Sequence, residues 1–260
     1  MYNNIQKIIS YFNAISLQKV CDINLMNRID TKFIFNITEL NDILKKASKK
    51  YNILEINNSR ILDYKTQYFD TKNFDMYLAH QNKKLNRFKI RKRKYMISNI
   101  IFFEIKFKSN KGRTIKERIK IKNFSNELSD DIKKFIERKT SFNCSNLRQS
   151  LLIDFSRITL IHKKQKEKIT IDININYKYN TKNINLPFLV ITEVKSEKHN
   201  KSDFIEILKK QKIYKQNISK YTIGILLLNK GIKYNNFKEK LLTLSKIANN
   251  DKYNYVFNKY

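Results

Sequence analysis

At 260 residues, with 41% hydrophobic and 12% aromatic side chains, the chain can bury a full core as one large domain or two small ones. Its 54 Lys plus Arg against 23 Asp plus Glu leave a formal charge of +31, which points to a polyanionic partner: nucleic acid, an anionic membrane surface or a phosphate-rich ligand. Two cysteines, Cys21 and Cys144, without CxxC spacing exclude a metal knuckle or a disulfide framework and point to a reducing cytosol.

The N-terminus, Met1-Tyr-Asn-Asn-Ile-Gln-Lys-Ile-Ile-Ser10, lacks the long apolar core of a signal peptide, and a short helix fits 3–14. Residues 28–36 alternate well enough for a first strand, with Arg28, Asp30 and Lys32 on one side. A helix is predicted at 38–50, with Thr38 as N-cap and Leu40, Ile43, Leu44 and Ala47 on its buried stripe. Strands follow at 52–57, 61–69, 87–96, 101–109 and 113–122, the last two joined by a tight hairpin at Asn110-Lys-Gly112.

The block from 87 to 122 is the most informative. A strand sends alternate side chains to opposite faces, so Lys89, Arg91 and Arg93 share a face, as do Glu104, Lys106 and Lys108, and Lys116, Arg118 and Lys120. The other parity carries Phe88, Ile90, Ile105, Phe107, Ile115, Ile119 and Ile121, which need burial. Part of the lysine excess reflects the Asn- and Ile-rich composition that an A+T-rich genome favours. Arginine is harder to explain that way, because its planar fork matches phosphate oxygens and stays charged.

Downstream, a helix fits 125–138, with Ser125 as cap and Leu128, Ile132, Phe135 and Ile136 apolar. Strands return at 151–161, which holds Arg157, at 167–175 and at 187–195. Lys168, Thr170, Asp172 and Asn174 make the polar face of the second, while Glu193 and Lys195 alternate with Val190, Thr192 and Val194 in the third. Helical spacing covers 202–214, 219–229 and 235–248. The most apolar run, Ile223 to Leu228, is far too short to span a bilayer, so the chain reads as soluble and cytoplasmic. Three glycines and one proline leave no linker, so a single domain is expected over 1–260, with its core at 5–247 and a frayed tail after Ala248.

The usual catalytic signatures are missing. Glycine is too scarce for a phosphate loop, His80, His162 and His199 are scattered, and Cys144 has no evident base. What remains is a basic face repeated over at least six strands. Alone, each polar face reads as solvated. Together, about eight antiparallel strands with inserted and trailing helices predict an α+β domain centred on a β-barrel, its basic face turned inward and its apolar face packed under helices. Grouped cations repel and are costly to desolvate, so a ligand such as a linear phosphate chain must neutralise them. Mg²⁺ and Mn²⁺ combine one or two carboxylates with substrate phosphates, which makes Glu193 the leading metal ligand, with Glu104 and Asp172 as weaker candidates.

Six motifs in order then resemble the VTC domain, the polyphosphate polymerase domain of the triphosphate tunnel metalloenzyme (CYTH-like) superfamily. They are Tyr64-Lys-Thr-Gln-Tyr-Phe-Asp-Thr71, Arg87-Phe-Lys-Ile-Arg-Lys-Arg-Lys-Tyr95, Phe103-Glu-Ile-Lys-Phe-Lys108, Gly112-Arg-Thr-Ile-Lys-Glu-Arg118, Thr192-Glu-Val-Lys195 and Ser219-Lys-Tyr221. The resemblance covers roughly 5–247. It implies an eight-stranded antiparallel tunnel that moves the terminal phosphate of ATP onto inorganic polyphosphate with Mn²⁺ or Mg²⁺. On that resemblance Lys32, Arg91, Arg93, Lys106 and Arg157 are catalytic phosphate ligands. Arg28, Lys116, Arg118, Lys168, Lys195, Ser219 and Lys220 bind substrate, and Glu193 and Glu104 hold metal. Lys168 stands where the family more often has Arg. The first strand reads Arg28-Ile-Asp-Thr-Lys32 where the wider superfamily has Glu-x-Glu-x-Lys, which disfavours a two-metal triphosphatase. Asn217 also stands where eukaryotic polymerases have a lysine, so one tunnel-mouth cation is missing.

Two other readings stand beside the polymerase. One is a tunnel triphosphatase acting on inorganic triphosphate, nucleotides or RNA 5′ ends; the other is a non-catalytic polyphosphate-binding module. Nucleic acid is disfavoured, because Phe88, Phe103 and Phe107 fall on the apolar parity rather than where bases could stack. A membrane-bound partner is compatible with a chain that itself has no transmembrane segment.

Overall fold

The alternating stretches do become strands. The computed structural model describes residues 2–21, 28–197 and 201–248. Its strands are β1 (Ala14–Ile15), β2 (Arg28–Asn36), β3 (Tyr51–Leu54), β4 (Leu62–Thr71), β5 (Arg87–Tyr95), β6 (Ile100–Lys108), β7 (Thr114–Ile121), β8 (Leu147–His162), β9 (Glu167–Tyr179), β10 (Lys182–Leu186) and β11 (Leu189–Glu197). Its helices are α1 (Tyr2–Ser10), α2 (Leu17–Cys21), α3 (Leu40–Ser48), α4 (Asp75–Gln81), α5 (Asp130–Lys139), α6 (Asp203–Lys210), α7 (Lys220–Leu228) and α8 (Lys238–Ala248).

Eight strands follow one antiparallel path, β2-β11-β9-β8-β4-β5-β6-β7, with β1, β3 and β10 attached beside it. The expected strand number and antiparallel order hold, but β2 and β7 end the path without pairing to each other. The barrel is therefore an open, curved sheet. The free edge of β2 is partly covered by the segment before α7, where Gln216 N donates to Lys32 O at 2.8 Å.

Helices cover the outer face. Leu40, Ile43 and Leu44 of α3, with Phe204 and Leu208 of α6, pack on Phe33, Phe35, Ile158, Leu160, Ile169 and Ile171. Ile132, Phe135 and Ile136 of α5 cover Ile90, Phe103 and Ile105. The inner face is also packed at one end, because α7 is apolar all round and every residue from Tyr221 to Leu228 is buried. It lies among Ile34, Leu151, Ile153, Tyr177 and Ile191. Asp70, fully buried at the end of β4, ties two helices to this wall. Its carboxylate accepts from Thr71 N, Met76 N and Tyr77 N at 2.8–3.0 Å, capping α4, and from the Tyr221 hydroxyl of α7.

Several boundaries differ from the sequence reading for local reasons. Asn36, not Thr38, caps the third helical segment: its Oδ1 accepts from Thr38 N at 3.0 Å, and a 3-10 turn over Ile37–Glu39 precedes α3. Ser125 is no cap, since α5 starts after Ser129; the Ser125 carbonyl instead accepts from the buried Lys92 ammonium at 2.8 Å. The segments α2, α4 and β10 were not anticipated, β3 stops at Leu54, and α6 is only Asp203–Lys210. Asn174 leaves the polar face expected of it. Its φ of +52° accompanies a bulge against β8, after which Ile175 and Tyr177 face inward and Asn174 is exposed. Ile115, expected to be buried, is 52% exposed near the β6–β7 hairpin. The tail after Ala248 and His199 lie outside the described residues.

The seat of α7 leaves no room for a larger residue at Gly224, where an added Cβ would lie 2.5 Å from Tyr177 Cδ1 and 2.6 Å from Leu151 Cδ2. Gly224→Ala is expected to cost about 1–3 kcal/mol, as overpacked cores do, read as a lower urea midpoint. An unchanged midpoint would mean that the plug has slack.

Candidate functional site

Residues paired across an antiparallel ladder share a face, so the register collects the charged side chains directly. Lys89 of β5 lies opposite Lys106 of β6, and Lys106 opposite Lys116 of β7. Arg91 faces Glu104, and Glu104 faces Arg118. On the other half of the sheet Lys32 faces Glu193, Lys168 faces Lys195, and Arg157 faces Asp172. Like charges directly opposite destabilise a sheet. Three such sets occur on this face, Arg87–Lys108, Lys89–Lys106–Lys116 and Lys168–Lys195.

Four acids are interleaved: Asp30, opposite Lys195, and Glu104, Asp172 and Glu193. Glu104 is 1% exposed, with Arg91 Nε 2.6 Å from Oε2 and Lys116 Nζ 2.5 Å from Oε1. Burial alone would raise its carboxyl; Arg91, Arg93 and Lys116 overcome this and hold it at about 2. Both its oxygens thus lie beside cations, which a metal held there would have to share or displace. Asp172 is similarly flanked. Arg157 donates to it in a bidentate fork at 2.6 and 2.8 Å, and Lys220 of α7 donates to the same carboxylate. Burial works against its ionisation, but Arg157 and Lys220 push its pKa well below the usual carboxylate range.

Glu193 is the open one. Its side chain is 21% exposed, with Lys195 Nζ at 3.2 Å and Lys32 Nζ at 3.7 Å, and it lines a cavity of about 500 Å³ together with Asp30, Lys89 and Lys106. Burial raises its carboxyl, and Lys195 and Lys32 more than reverse this to about 2. Among the described residues no three His, Cys, Asp or Glu side chains converge. A divalent ion held here would therefore share Glu193 with substrate oxygens, the arrangement that Mg²⁺ and Mn²⁺ favour, and the ionised, accessible carboxylate fits it.

The cations are less well neutralised than the acids. Lys89 donates to Ser219 Oγ at 2.8 Å, and burial, with Lys32 and Lys106 nearby, pushes its ammonium well below the usual lysine range. Burial also lowers Lys116, which Glu104 only partly offsets, leaving it at about 8. Arg93 has only the Thr66 hydroxyl at 3.3 Å as a hydrogen-bond acceptor, and Lys106 and Lys168 make no ion pair among the described residues. Arg28, half-exposed at the start of β2, pairs with Asp30 at 3.0 Å.

Sequence reasoning overlooked the aromatic floor under these cations. Tyr64 and Phe155 stack at 5.2 Å, with Arg157 at 5.1 and 5.4 Å from their centroids and Arg93 at 5.7 and 5.8 Å. Arg118 lies 4.3 Å from the Phe102 ring, and Tyr68 accepts from Arg91 Nη1 at 3.3 Å. Ring faces hold guanidinium groups without neutralising them, so the forks are oriented yet still charged. Tyr64, Thr66 and Tyr68 share strand parity within a motif already singled out, and that was the available signal.

A sequence model of the VTC domain matches residues 27–229, and the chain belongs to that family. With its curved antiparallel sheet it is a member of the triphosphate-tunnel group, whose enzymes transfer phosphoryl groups or hydrolyse triphosphates. A candidate adenylate cyclase of Bacillus halodurans shares the fold at TM-score 0.51, with 17% identity over 74% of this chain and 94% of that one. A candidate adenylyl cyclase of Hippeastrum, described as having a dominant triphosphatase activity, overlaps at TM-score 0.49 with 12% identity, over 80% of this chain and 99% of that one. No curated protein matches the sequence. No helix among the described residues is long and apolar enough to cross a membrane.

Glu104 and Glu193 have folded pKa values below the ordinary 4.5, so the stability they contribute is present above that value and is lost as pH falls through about 2. Urea midpoints are expected to drop steadily between pH 5 and pH 2, on the order of the two depressed carboxylates' titration range. Flat midpoints over this range would show that the two acids are not paired as described.

Proposed function

We propose that this protein is a metal-dependent polyphosphate polymerase that transfers the terminal phosphate of ATP to a growing inorganic polyphosphate chain. The observation that carries the reading is the registered row Lys89–Lys106–Lys116, beside the buried Arg93 and the partly buried Arg91 and Arg157. These cations face one another across the sheet with too few acids to neutralise them. A ligand with closely spaced negative charges relieves their repulsion, and also the desolvation of the less exposed Lys89, Arg91, Arg93 and Arg157.

In the transfer, a terminal oxygen of the polyphosphate chain attacks the γ-phosphorus as the bond to the β–γ bridging oxygen breaks. ADP leaves and the chain is longer by one phosphate. Little covalent work falls to the protein; it must align the two phosphate groups and stabilise their charge. Lys32, Arg91, Arg93, Lys106 and Arg157 bind the triphosphate, with Lys116, Ser219 and Lys220 beside them. Arg28, Arg118, Lys168 and Lys195 line the path of the polymer. Glu193 would hold Mg²⁺ or Mn²⁺ jointly with phosphate oxygens, and the ion would supply further charge neutralisation. Glu104 and Asp172 fix the cations around them.

The test is to incubate the purified protein with ATP and Mn²⁺ or Mg²⁺ and to read polymer and orthophosphate separately. ADP with long-chain polyphosphate is expected; orthophosphate without polymer would establish the hydrolytic reading instead. Glu193→Gln is expected to lower turnover at least about a hundredfold, the usual scale for a metal ligand's contribution, while sparing much of the affinity for tripolyphosphate. Unchanged turnover would remove Glu193 from the chemistry.

A bound polyanion raises the pKa of Lys116 from about 8, so binding at pH 8.5 takes up protons and weakens as pH rises further. Titration heats that differ between buffers of different ionisation enthalpy would register the uptake. Heats independent of the buffer would place Lys116 away from the phosphates.

A further inference from the structure

Phe103 and Phe107 fall on the outer face of β6, but Phe102 falls on the inner one, in step with Glu104 and Lys106. Its ring is partly exposed and belongs to none of the three apolar cores. Directly across the ladder from it stand Arg93 on β5 and Lys120 on β7. Tyr95 meets the ring edge-on at 6.0 Å and is itself packed against Tyr64 at 5.0 Å. Arg118, exposed on β7, lies over the ring with its guanidinium carbon 4.3 Å from the centroid. The ring does nothing for phosphate directly, because its π face carries partial negative charge. It backs one side of the Arg118 group and leaves the rest of that group open.

We propose that the Phe102–Arg118 pair is a nucleobase shelf: the base of the nucleotide lies flat on the open face of the Arg118 guanidinium, and its triphosphate runs on to Arg93 and Arg91. Bases stack on aromatic rings and on arginine planes alike, since both offer a flat face. A guanidinium whose faces are covered keeps its N–H edge, so Arg118 still donates to phosphate while it carries a base. The placement suits a ligand with one flat part and one anionic part. Phe102 is the cross-strand partner of Arg93, and such partners lie about 5 Å apart at Cβ, so the shelf adjoins the phosphate ligands. Lys168 and Lys195, paired on the other half of the sheet, are left to the polymer. A base held by its face alone, with no hydrogen bonds to its edge, is chosen loosely, so ATP and GTP are expected to bind alike.

This inference rests on the nucleotide-dependent reading above and deepens it, since it separates recognition of the nucleoside from recognition of the phosphates. The test is calorimetric titration with ATP and with inorganic tripolyphosphate, on the wild-type protein, Phe102→Leu and Arg118→Lys. Leucine keeps apolar bulk without a π face, and lysine keeps the charge without a plane. Phe102 lies outside the cores and Arg118 is exposed, so neither change is expected to disturb folding. In each variant the affinity for ATP relative to that for tripolyphosphate is expected to fall about tenfold, within the usual contribution of one stacked base. An unchanged ratio in either variant would overturn the shelf and leave the phosphate site intact; the ring would then serve only to aim Arg118. Binding of tripolyphosphate without ATP by the wild-type protein would overturn it too. If the wild-type protein bound neither ligand, the phosphate reading itself would fall and take this inference with it.

Discussion

An apolar helix seated against the inner face of a sheet sets the layout of this molecule. From Tyr221 to Leu228 α7 has no polar side to turn toward water, so it must be buried on every side, and the inner face around Leu151, Ile153, Tyr177 and Ile191 is where it fits. Once it is there, one end of the interior is dry. The helix begins where the dry part ends, so Lys220 emerges beside Arg157 and Asp172, and Ser219 beside Lys89. The Ser219 hydroxyl accepts from Lys89 and does not cap α7.

The charged half is a deliberate imbalance. Its two buried acids are each matched by two cations, Glu104 by Arg91 and Lys116, and Asp172 by Arg157 and Lys220. These triads hold the arginine forks in fixed directions without cancelling the net charge. Buried ion pairs contribute little to stability on balance but cost a great deal when one partner is lost. The acids are therefore needed even though the ligand is itself an anion. Without them the cations would repel one another out of alignment before any phosphate arrived.

Much of this was legible from alternation alone. The parity of Lys89, Arg91 and Arg93 against Ile90, and of Glu193 and Lys195 against Val194, is a local property of the chain, and it located both faces of β5 and β11. The direction in which the polar face turns was legible only from the number of helices left to cover the apolar one. Period-two reasoning failed at Asn174, where one residue with positive φ inverts the faces and hands Ile175 and Tyr177 to the interior. It also could not place α7 inside the sheet, since an apolar nine-residue segment looks the same whether it covers a sheet or fills it. The aromatic floor of Tyr64, Tyr68 and Phe155 was hidden for a related reason: their partners lie on strands distant in sequence. The second cation beside Glu104 is Lys116, which only the β6–β7 register brings opposite its neighbour Lys106.

The open seam has a consequence for the behaviour of many copies of this protein together. Among the described residues β7 pairs on one side alone, which leaves a row of backbone donors and acceptors on its other side, a template on which another chain could add a strand and begin an aggregate. The side chains along that edge include Lys116, Arg118 and Lys120, with Ile115 exposed among them. A second copy approaching edge to edge would bring the same cations against these. The charge that suits the trough to phosphate thus also guards its unfinished rim, and a polyphosphate chain long enough to neutralise that rim would remove the protection.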